Sequence, residues 1–423
     1  MNDQVSQKPR LAFVLDAFPA LSETFILNQV TGLLDRDADL DLYAMIRRGP
    51  DQAHEDVHRY GLLDKTTYCP DMPQNKAARI GLGMVYWLKL FARQPSAALA
   101  TLSSKRHGRL ATSLRLLYEV CPFFTPKRYD LVHCHFGHIG ASIARMRQMN
   151  LMPGKLVVTF YGFDVSQRPK MEPAGYYDAL FAQASRVLVL SQNMKENVAA
   201  LGCPQDKITI HHLGVDSRKF PFKARSRQGD EPIRLLSISR LEEKKGLAYA
   251  IAALGQIKQQ RDDFIYEIVG EGSLREPLQK QINELGLENH IKLLGWKTQD
   301  QVRAFLDKTH IMLAPSVTAK AGDQEGTPTA IAEALMMGLP VVSTLHSGIP
   351  EMIQHEVSGY LAPERDADAL AQYLLKLFNE PESWATMGRA GSDYARREFD
   401  VNLLNDQLLE IYHQVLHPAE ESR

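Results

Sequence analysis

The chain has 423 residues, a length that favours two or three domains, because single cores rarely grow beyond about 250–300 residues. Hydrophobic residues make up 44% and charged residues 23%, which argues against disorder, collagen-like repeats and coiled coil. With 49 Lys and Arg against 50 Asp and Glu, the net charge of −1 gives no basis for nucleic-acid binding through bulk charge.

Short apolar runs alternate with longer amphipathic stretches through the first half of the chain. The strand-like runs are residues 11–15, 40–45, 131–136, 155–160, 186–190 and 208–212. Continuous apolar strands between helices predict a parallel sheet covered on both faces. A polar, charged segment at residues 216–232 then interrupts the pattern and is interpreted as a linker.

The same alternation begins again after the linker. The strand-like runs here are residues 234–239, 266–270, 291–296, 311–316 and 340–344. Residues 403–416 have helical apolar spacing, and we expect this helix to pack across both domains.

We therefore predict an α/β protein with two doubly wound, parallel-sheet domains. The predicted boundaries are 1–214 for the first domain, 215–232 for a linker or hinge, 233–395 for the second domain and 396–423 for the C-terminal helix. Ligands of such sheets bind outside the carboxyl ends of the strands, so function is expected in the cleft between the domains.

Residues 314–344 contain the most informative pattern. A strand ends before a polar loop, after which Thr327 and Pro328 are predicted as the N-cap and first position of a helix, with Gly326 allowing close backbone approach. Such a helix start attracts phosphate. Glu333 is a lone charge among apolar neighbours and could bind hydroxyl groups. The alternative is that Glu325 is an ordinary loop acid and Glu333 faces solvent.

Residues 237–246 place two cations, Arg240 and Lys245, around a turn between a strand and a helix. Arg can grip a diphosphate bidentately and Lys can act as a movable charge, although a solvated charged turn would have the same sequence. Gly270, in the glycine turn of residues 269–274, is weaker evidence, since such turns also serve packing.

In the first half, Ser22, Glu23 and Thr24 follow the first strand at a helix start. They are interpreted either as an ordinary cap or as a loop that touches substrate. His133 and His135 face the same side of a buried strand, but no third ligand follows at useful spacing, so a zinc site is rejected. A contact between His135 and substrate remains open.

Four aspartates with alternating spacing could suggest a metal–nucleotide site. They are Asp35, Asp37, Asp39 and Asp41. Because a strand begins among them, we interpret them as a solvated turn at the opposite end of the sheet, and we expect no metal there.

Localisation is inferred from absent signals and from one basic region. The four cysteines form no CxxC pair, the first ten residues lack a signal-peptide pattern, and no transmembrane helix is predicted, so a cytoplasmic protein is expected.

Residues 72–129 contain ten Lys and Arg but one acid, Glu119. With interleaved apolar residues (Trp87, Leu90, Phe91, Leu114 and Leu117), residues 76–128 are predicted to dock on anionic lipid, unless they form only a solvated basic face.

Taken as an ordered set, these segments resemble a known enzyme family. The set comprises Arg240, Lys245–Gly246, the PS pair, Glu325 and Glu333 in EGTPTAIAEA, GLPVVST and GIPE. It is similar to the retaining nucleotide-sugar glycosyltransferases of family four, which have the GT-B fold of two Rossmann-like domains. FPALSETFILNQV, HCHFG and TFYGFDVS resemble the exopolysaccharide branch of the colanic-acid and amylovoran type.

The resemblance implies a role for each matched position. Arg240 and Lys245 would hold the donor diphosphate, Glu333 the ribose hydroxyls, and Glu325 with the backbone of Gly326 and Thr327 the transferred sugar. His135 and Asp164 would face the sugar and the cleft from the first domain. Many relatives carry a Gly-Gly loop in place of residues 22–24 and a histidine in place of Tyr161, and both changes lie on the acceptor side.

The expected function is metal-independent, retaining transfer of a sugar from a nucleotide-sugar donor to a lipid-linked saccharide at the inner face of the cytoplasmic membrane. No cofactor and no nucleic acid is expected. The alternatives are a sugar-nucleotide epimerase, a glycogen-type phosphorylase and a non-catalytic sugar-binding protein.

Overall fold

A computed structural model describes residues 8–20, 23–49, 53–124 and 127–418. Within these residues, the first half forms a parallel sheet of order β3-β2-β1-β4-β5-β6-β7. Its strands are β1 (Arg10–Phe18), β2 (Asp39–Arg47), β3 (Thr66–Tyr68), β4 (Leu131–His135), β5 (Lys155–Thr159), β6 (Arg186–Val189) and β7 (Ile208–Ile210). The interior strands are almost entirely buried because helices cover both faces of the sheet.

Thirteen helices accompany this sheet in the described residues. They are α1 (Thr24–Leu34), α2 (Glu55–Arg59), α3 (Leu62–Lys65), α4 (Lys76–Arg93), α5 (Pro95–Thr101), α6 (Ser104–His107), α7 (Arg109–Thr112), α8 (Arg115–Val120), α9 (Gly137–Arg147), α10 (Gly162–Ser166), α11 (Arg168–Met171), α12 (Asp178–Gln183) and α13 (Gln192–Ala200).

The second half repeats the design with a parallel sheet of order β10-β9-β8-β11-β12-β13. Its strands are β8 (Ile233–Ile238), β9 (Phe264–Val269), β10 (Ile291–Gly295), β11 (Ile311–Ala314), β12 (Val341–Thr344) and β13 (Gly359–Ala362). Its helices are α14 (Leu247–Lys258), α15 (Arg275–Glu284), α16 (Gln299–Lys308), α17 (Thr329–Met336), α18 (Ala367–Asn379), α19 (Ser383–Glu398) and α20 (Val401–Leu416). The predicted α/β class with two doubly wound sheets is confirmed; β3 and β13 were not predicted.

The last helix returns to the first half. The Asp400 carboxylate caps α20 by accepting from the Asn402 N–H at 2.8 Å, and the helix then lies along α1. The Tyr412 hydroxyl is 2.6 Å from Nδ1 of the buried His133. The C-terminal helix is thus part of the core beneath the first sheet.

The segment between the halves is bound to the second half. Arg225 is buried, and its guanidinium donates to the carbonyl oxygens of Asp307 and Met337 at 2.6 and 2.7 Å. Searched over the described ranges, no helix is both long and apolar enough to cross a bilayer.

Candidate active site

The crevice of the second half opens where its strand order reverses. Chain crossovers leave the neighbouring strands β8 and β11 in opposite directions, and this switch point is where open α/β sheets bind ligands. A small cavity there is lined by residues 237–239, Lys245, Leu247, residues 312–316, Pro328, Ala330 and Ile331. The predicted Lys245 and the start of α17 therefore meet at one place.

A buried cluster of charges adjoins this crevice. Lys245 Nζ lies 2.7 Å from Glu325 Oε2, and Lys244 Nζ lies 3.4 Å from Oε1 of the same carboxylate. Lys244 also pairs with Asp323 at 3.0 Å. Burial alone would raise the pKa of Glu325, but the Lys245 and Lys244 ammonium groups lower it to about 2. Glu325 is therefore ionised, and Lys244, which the sequence analysis missed, belongs to the site.

The backbone of Glu325 is held by a buried histidine that was also not predicted. The Glu325 N–H donates to His346 Nε2 at 3.0 Å, and His346 Nδ1 lies 2.5 Å from Glu364. The Glu364 carboxylate also accepts from the N–H and hydroxyl of Thr318 at 2.8 and 3.1 Å. Three loops are therefore joined behind the Glu325 carboxylate. The available signal was the position of His346, two residues beyond β12.

Helix α17 begins one residue later than predicted. Pro328 is the N-cap, Thr329 is the first helical residue, and no side chain caps the helix. The prediction of Thr327 as the N-cap is therefore wrong, because its hydroxyl is not bonded to the helix. Thr327 is buried and its Oγ1 has no hydrogen-bond partner within the described ranges. The helix dipole and uncapped N–H groups remain available to an anion.

Arg240 and Gly270 lie at the rim of the same crevice. Arg240 follows β8, and its exposed guanidinium pairs with Glu242 at 2.8 Å and not with the buried cluster. A side chain on Gly270, which has φ of 139°, would collide with the Ser239 carbonyl. The glycine thus allows the turn after β9 to lie against the loop that carries Arg240.

Glu333 is a half-buried carboxylate on α17. No hydrogen bond to it is found among the residues that the structure describes. Burial raises its pKa to about 7, with Arg303 opposing the shift. The solvent-facing alternative is not supported, and the carboxylate is free to bind a hydroxyl group.

In the first half, the two histidines of β4 are fully buried. His135 Nδ1 lies 2.8 Å from the Tyr161 hydroxyl, and its Nε2 has no hydrogen-bond partner in the described part of the chain. Burial lowers the pKa of His135 to about 3, so the imidazole is neutral. Direct contact of His135 with substrate would require the residues that cover it to move.

A second cluster of titratable groups lies at the carboxyl end of β1 and the start of α9. His138 pairs with Asp16 at 3.2 Å and with the buried Asp164 at 3.5 Å. Burial opposes charge on His138, but the bonds to Asp16 and Asp164 raise its pKa to about 9. Burial and the charge of Asp16 raise the pKa of Glu23 to about 7. Glu23 and Asp164 were predicted from the sequence, whereas His138, which lies only three residues beyond His135, was not.

The predicted loop before α1 is only partly described. Ser22 lies outside the described residues. Glu23 is the N-cap residue of α1, which begins at Thr24, but no side chain caps this helix. The ordinary-cap alternative had Ser22 or Thr24 as the capping residue, and Thr24 is instead the first helical residue.

The two halves meet around the loop of Glu325. A Cβ atom on Gly162, at the start of α10, would lie 2.8 Å from the Gln324 carbonyl oxygen and 3.2 Å from the Gly326 nitrogen. The Glu351 carboxylate of the second half accepts from the Gln192 N–H of α13 at 2.8 Å. Glu325 and the first-half residues therefore border one cleft.

The four aspartates lie away from this cleft. Asp39 begins β2 and Asp35 caps the end of α1. Asp41 pairs with Lys127 at 2.8 Å. Across the described ranges, no group of three or more His, Cys, Asp or Glu side chains is arranged to hold a metal ion.

Comparison with solved structures gives the class of protein. Anabaena HepE, crystallised in complex with UDP, aligns with a TM-score of 0.68 and 18% identity over 96% of this chain and 100% of that one. A glycosyltransferase from Rickettsia africae also aligns with a TM-score of 0.68 and 18% identity, over 97% of this chain and 100% of that one. The two Rossmann-like domains and the cleft between them define the GT-B fold of glycosyltransferases.

Sequence comparison gives the family. Residues 22–219 match the family described as "Glycosyltransferase Family 4", and residues 219–394 match "Glycosyl transferases group 1". The amylovoran biosynthesis glycosyltransferase AmsK of Erwinia amylovora is 38% identical over 95% of this chain and 98% of its own length. WcaL of Escherichia coli, a putative colanic acid biosynthesis glycosyltransferase, is 34% identical over 94% and 98%. The chain belongs to the family 4, group 1 glycosyltransferases, and is therefore an enzyme.

Proposed function

We propose that this glycosyltransferase moves a sugar from a nucleotide-sugar donor to a lipid-linked saccharide during exopolysaccharide synthesis. Amylovoran and colanic acid, named for its relatives AmsK and WcaL, are the basis for the pathway class. HepE binds UDP and UDP-glucose on the same fold, which supports a nucleotide-sugar donor. The domain boundaries predicted from sequence remain part of this proposal.

The observation that carries the proposal is the cationic crevice beside β8 and β11. Lys245 and the uncapped start of α17 line this crevice, Arg240 lies at its rim, and the donor diphosphate is assigned to these three groups. Positive groups aimed at a leaving group stabilise the charge that develops in the transition state. We propose that this stabilisation replaces a divalent ion.

In the proposed reaction the bond between the anomeric carbon and the β-phosphate oxygen breaks while the acceptor hydroxyl bonds to the same face of that carbon. The hydroxyl proton passes to the departing phosphate, so the configuration is retained and a nucleoside diphosphate is released. Glu325 and the backbone of Gly326 and Thr327 hold the transferred sugar, and Glu333 holds the ribose. Asp164, Glu23 and His138 border the acceptor side.

Transfer from labelled nucleotide sugars to membrane lipid extract tests this function. Wild-type enzyme should label a lipid-linked saccharide equally with and without a chelator, and the anomeric configuration of the product should match that of the donor. Arg240→Gln should lower transfer roughly 10- to 150-fold, because a hydrogen bond to a charged group is worth about 1.5–3 kcal/mol. Loss of activity in chelator with recovery on adding Mn²⁺ would refute metal independence.

We further propose that α4 docks the enzyme on an anionic bilayer. Ile80, Met84, Leu88 and Phe91 form one exposed apolar stripe on this helix, with exposed fractions from 39% to 58%. Lys76 and Lys89 are exposed on the same helix. Of the apolar residues expected on this face, Leu90 and Leu117 are instead buried in the core.

Vesicle flotation tests the docking surface. Phosphatidylglycerol vesicles should carry the wild type, and Ile80→Gln with Leu88→Gln should reduce the bound fraction. Leu403→Gln, at an exposed leucine on α20, is the matched control and should float normally. Two results would refute an anionic-lipid surface. One is equal flotation of the α4 variant and the Leu403→Gln control. The other is equal binding of the wild type to phosphatidylcholine and phosphatidylglycerol vesicles.

A further inference from the structure

A basic pocket lies on the first half, apart from the cationic crevice described above. It has a volume of about 320 Å³ and lies between α6, α9 and the region of α12. Its lining residues are Arg106, His107, Ala141, Arg145, Gln148, Met149, Tyr176 and Ala179. No carboxylate is among them, in contrast to the paired charges of the catalytic cleft.

The basic side chains of this pocket lack counter-ions. In the described residues, no ion pair is found for the exposed Arg106 or the half-buried Arg145, and Nε2 of the half-buried His107 has no hydrogen-bond partner. Arg106, His107 and Arg145 line the same pocket, and burial, followed by the charges of Arg145 and Arg106, lowers the pKa of His107. Gathering like charges without partners is unfavourable, so a bound anion would relieve their repulsion.

The pocket continues towards the catalytic cleft. Arg145 and Tyr176 also line a larger groove of about 590 Å³, which reaches Asp16 and His138. Apolar side chains also line this groove, together with two ion pairs, Arg115–Glu119 and Arg168–Glu172. The apolar residues are Met45, Ile46, Met72, Leu110 and Ile139. A ligand can therefore extend from the basic pocket to the acceptor side of the cleft.

We propose that this pocket is an anion site for the phosphate groups of a lipid-borne ligand. Arg binds phosphate bidentately and is the preferred residue for such recognition. Liquid water occupies about 30 Å³ per molecule, so the pocket has room for about ten water-sized groups, enough for a diphosphate. The assignment to an acceptor diphosphate rests on the proposed function, whereas phosphate binding itself does not.

Calorimetric titration with inorganic pyrophosphate tests the site without requiring turnover. The wild type should show two classes of site, because the donor crevice also binds this probe. Arg145→Gln should weaken one class roughly 10-fold or more, as expected for loss of a charged hydrogen bond, and Arg240→Gln should weaken the other. Arg109→Gln, an exposed neighbour that lines neither cavity, is the matched control and should leave both unchanged.

Three results would overturn the proposal. One is a wild type whose only pyrophosphate site is the one removed by Arg240→Gln. Another is pyrophosphate binding in Arg106→Gln/Arg145→Gln that equals that of the wild type. The third is a loss of binding in Arg109→Gln as large as in Arg145→Gln. Circular dichroism of each variant checks that the fold is retained.

Two further measurements distinguish the source of the phosphate. If the site holds the acceptor diphosphate, Arg145→Gln raises KM for a diphosphate-linked acceptor and leaves flotation with phosphatidylglycerol vesicles unchanged. If it holds a bilayer headgroup, the variant lowers flotation and leaves that KM unchanged. Either result supports phosphate recognition by this pocket.

Discussion

Replacing Glu325 by Gln should expose the energetic role of the buried pair with Lys245. The carboxylate lies 2.7 Å from the ammonium group, and both side chains are at most 15% exposed. Gln keeps the shape of the side chain but removes its charge, so Lys244 and Lys245 retain only Asp323 as a nearby negative partner. The substitution therefore leaves buried positive charge without compensation.

The size of the effect follows from the pKa of Glu325. A difference of one in pKa corresponds to about 1.36 kcal/mol. Lowering the pKa of Glu325 from 4.5 to about 2 thus corresponds to about 3 kcal/mol of folding stability. Because the folded-state pKa is the lower one, this contribution is complete above pH 4.5 and disappears as the pH falls towards 2.

Urea unfolding between pH 7 and pH 3 measures this contribution. Glu325→Gln should lower the free energy of unfolding by about 3 kcal/mol at pH 7 and by progressively less below pH 4.5. Glu284→Gln, at an exposed glutamate of α15, should change little at any pH. In a double-mutant cycle, Lys245→Met and Glu325→Gln should be less harmful together than the sum of the single changes. Additive losses of unfolding free energy in the cycle, or a loss of stability in Glu325→Gln that does not change with pH, would refute the buried ion pair.

Three other substitutions test neighbouring parts of the site. His346→Ala should lower transfer roughly 10-fold, because the Glu325 N–H loses its acceptor, while the affinity for nucleoside diphosphate should change little. Stopped assays measure transfer, and calorimetry measures the affinity. His138→Gln should destabilise the fold most below pH 6.5, and the difference should fade as pH rises through about 9, in thermal melts across that range. Glu333→Gln should raise the melting temperature at pH 8 more than at pH 5, because burial raises the pKa of Glu333 to about 7, yet weaken donor binding.

Most of the fold was predictable because its strands are apolar runs, most of them containing Val or Ile. β3 and β13 escaped prediction because TTY and GYLA contain neither Val nor Ile; they pair with β2 and β12. The start of α17 was displaced by one residue because local preferences favour Thr as the N-cap and Pro at the first helical position, whereas Pro328 is the N-cap in the structure.

The site was only partly predictable because the sequence indicates which loops lie at the same edge of the sheet but not which side chains pair. Lys245 and Glu325 each follow a strand of the second sheet, the carboxyl ends of which were expected to line the cleft, and their ion pair is consistent with that expectation. Arg240, in contrast, turns to its local neighbour Glu242, and His138 acquires its charge from Asp16 and Asp164, which are distant in sequence. Such tertiary pairings leave no periodic signal.

The path of α20 has a consequence for synthesis of the protein. Leu408, Ile411 and Val415 belong to the same apolar cluster as Leu11 and Phe13 of the first strand. During translation the amino-terminal lobe therefore emerges with part of its interior open to water, and it is finished only after the final helix has left the ribosome. Folding of this lobe thus cannot keep pace with its own emergence and depends on completion of nearly the whole chain.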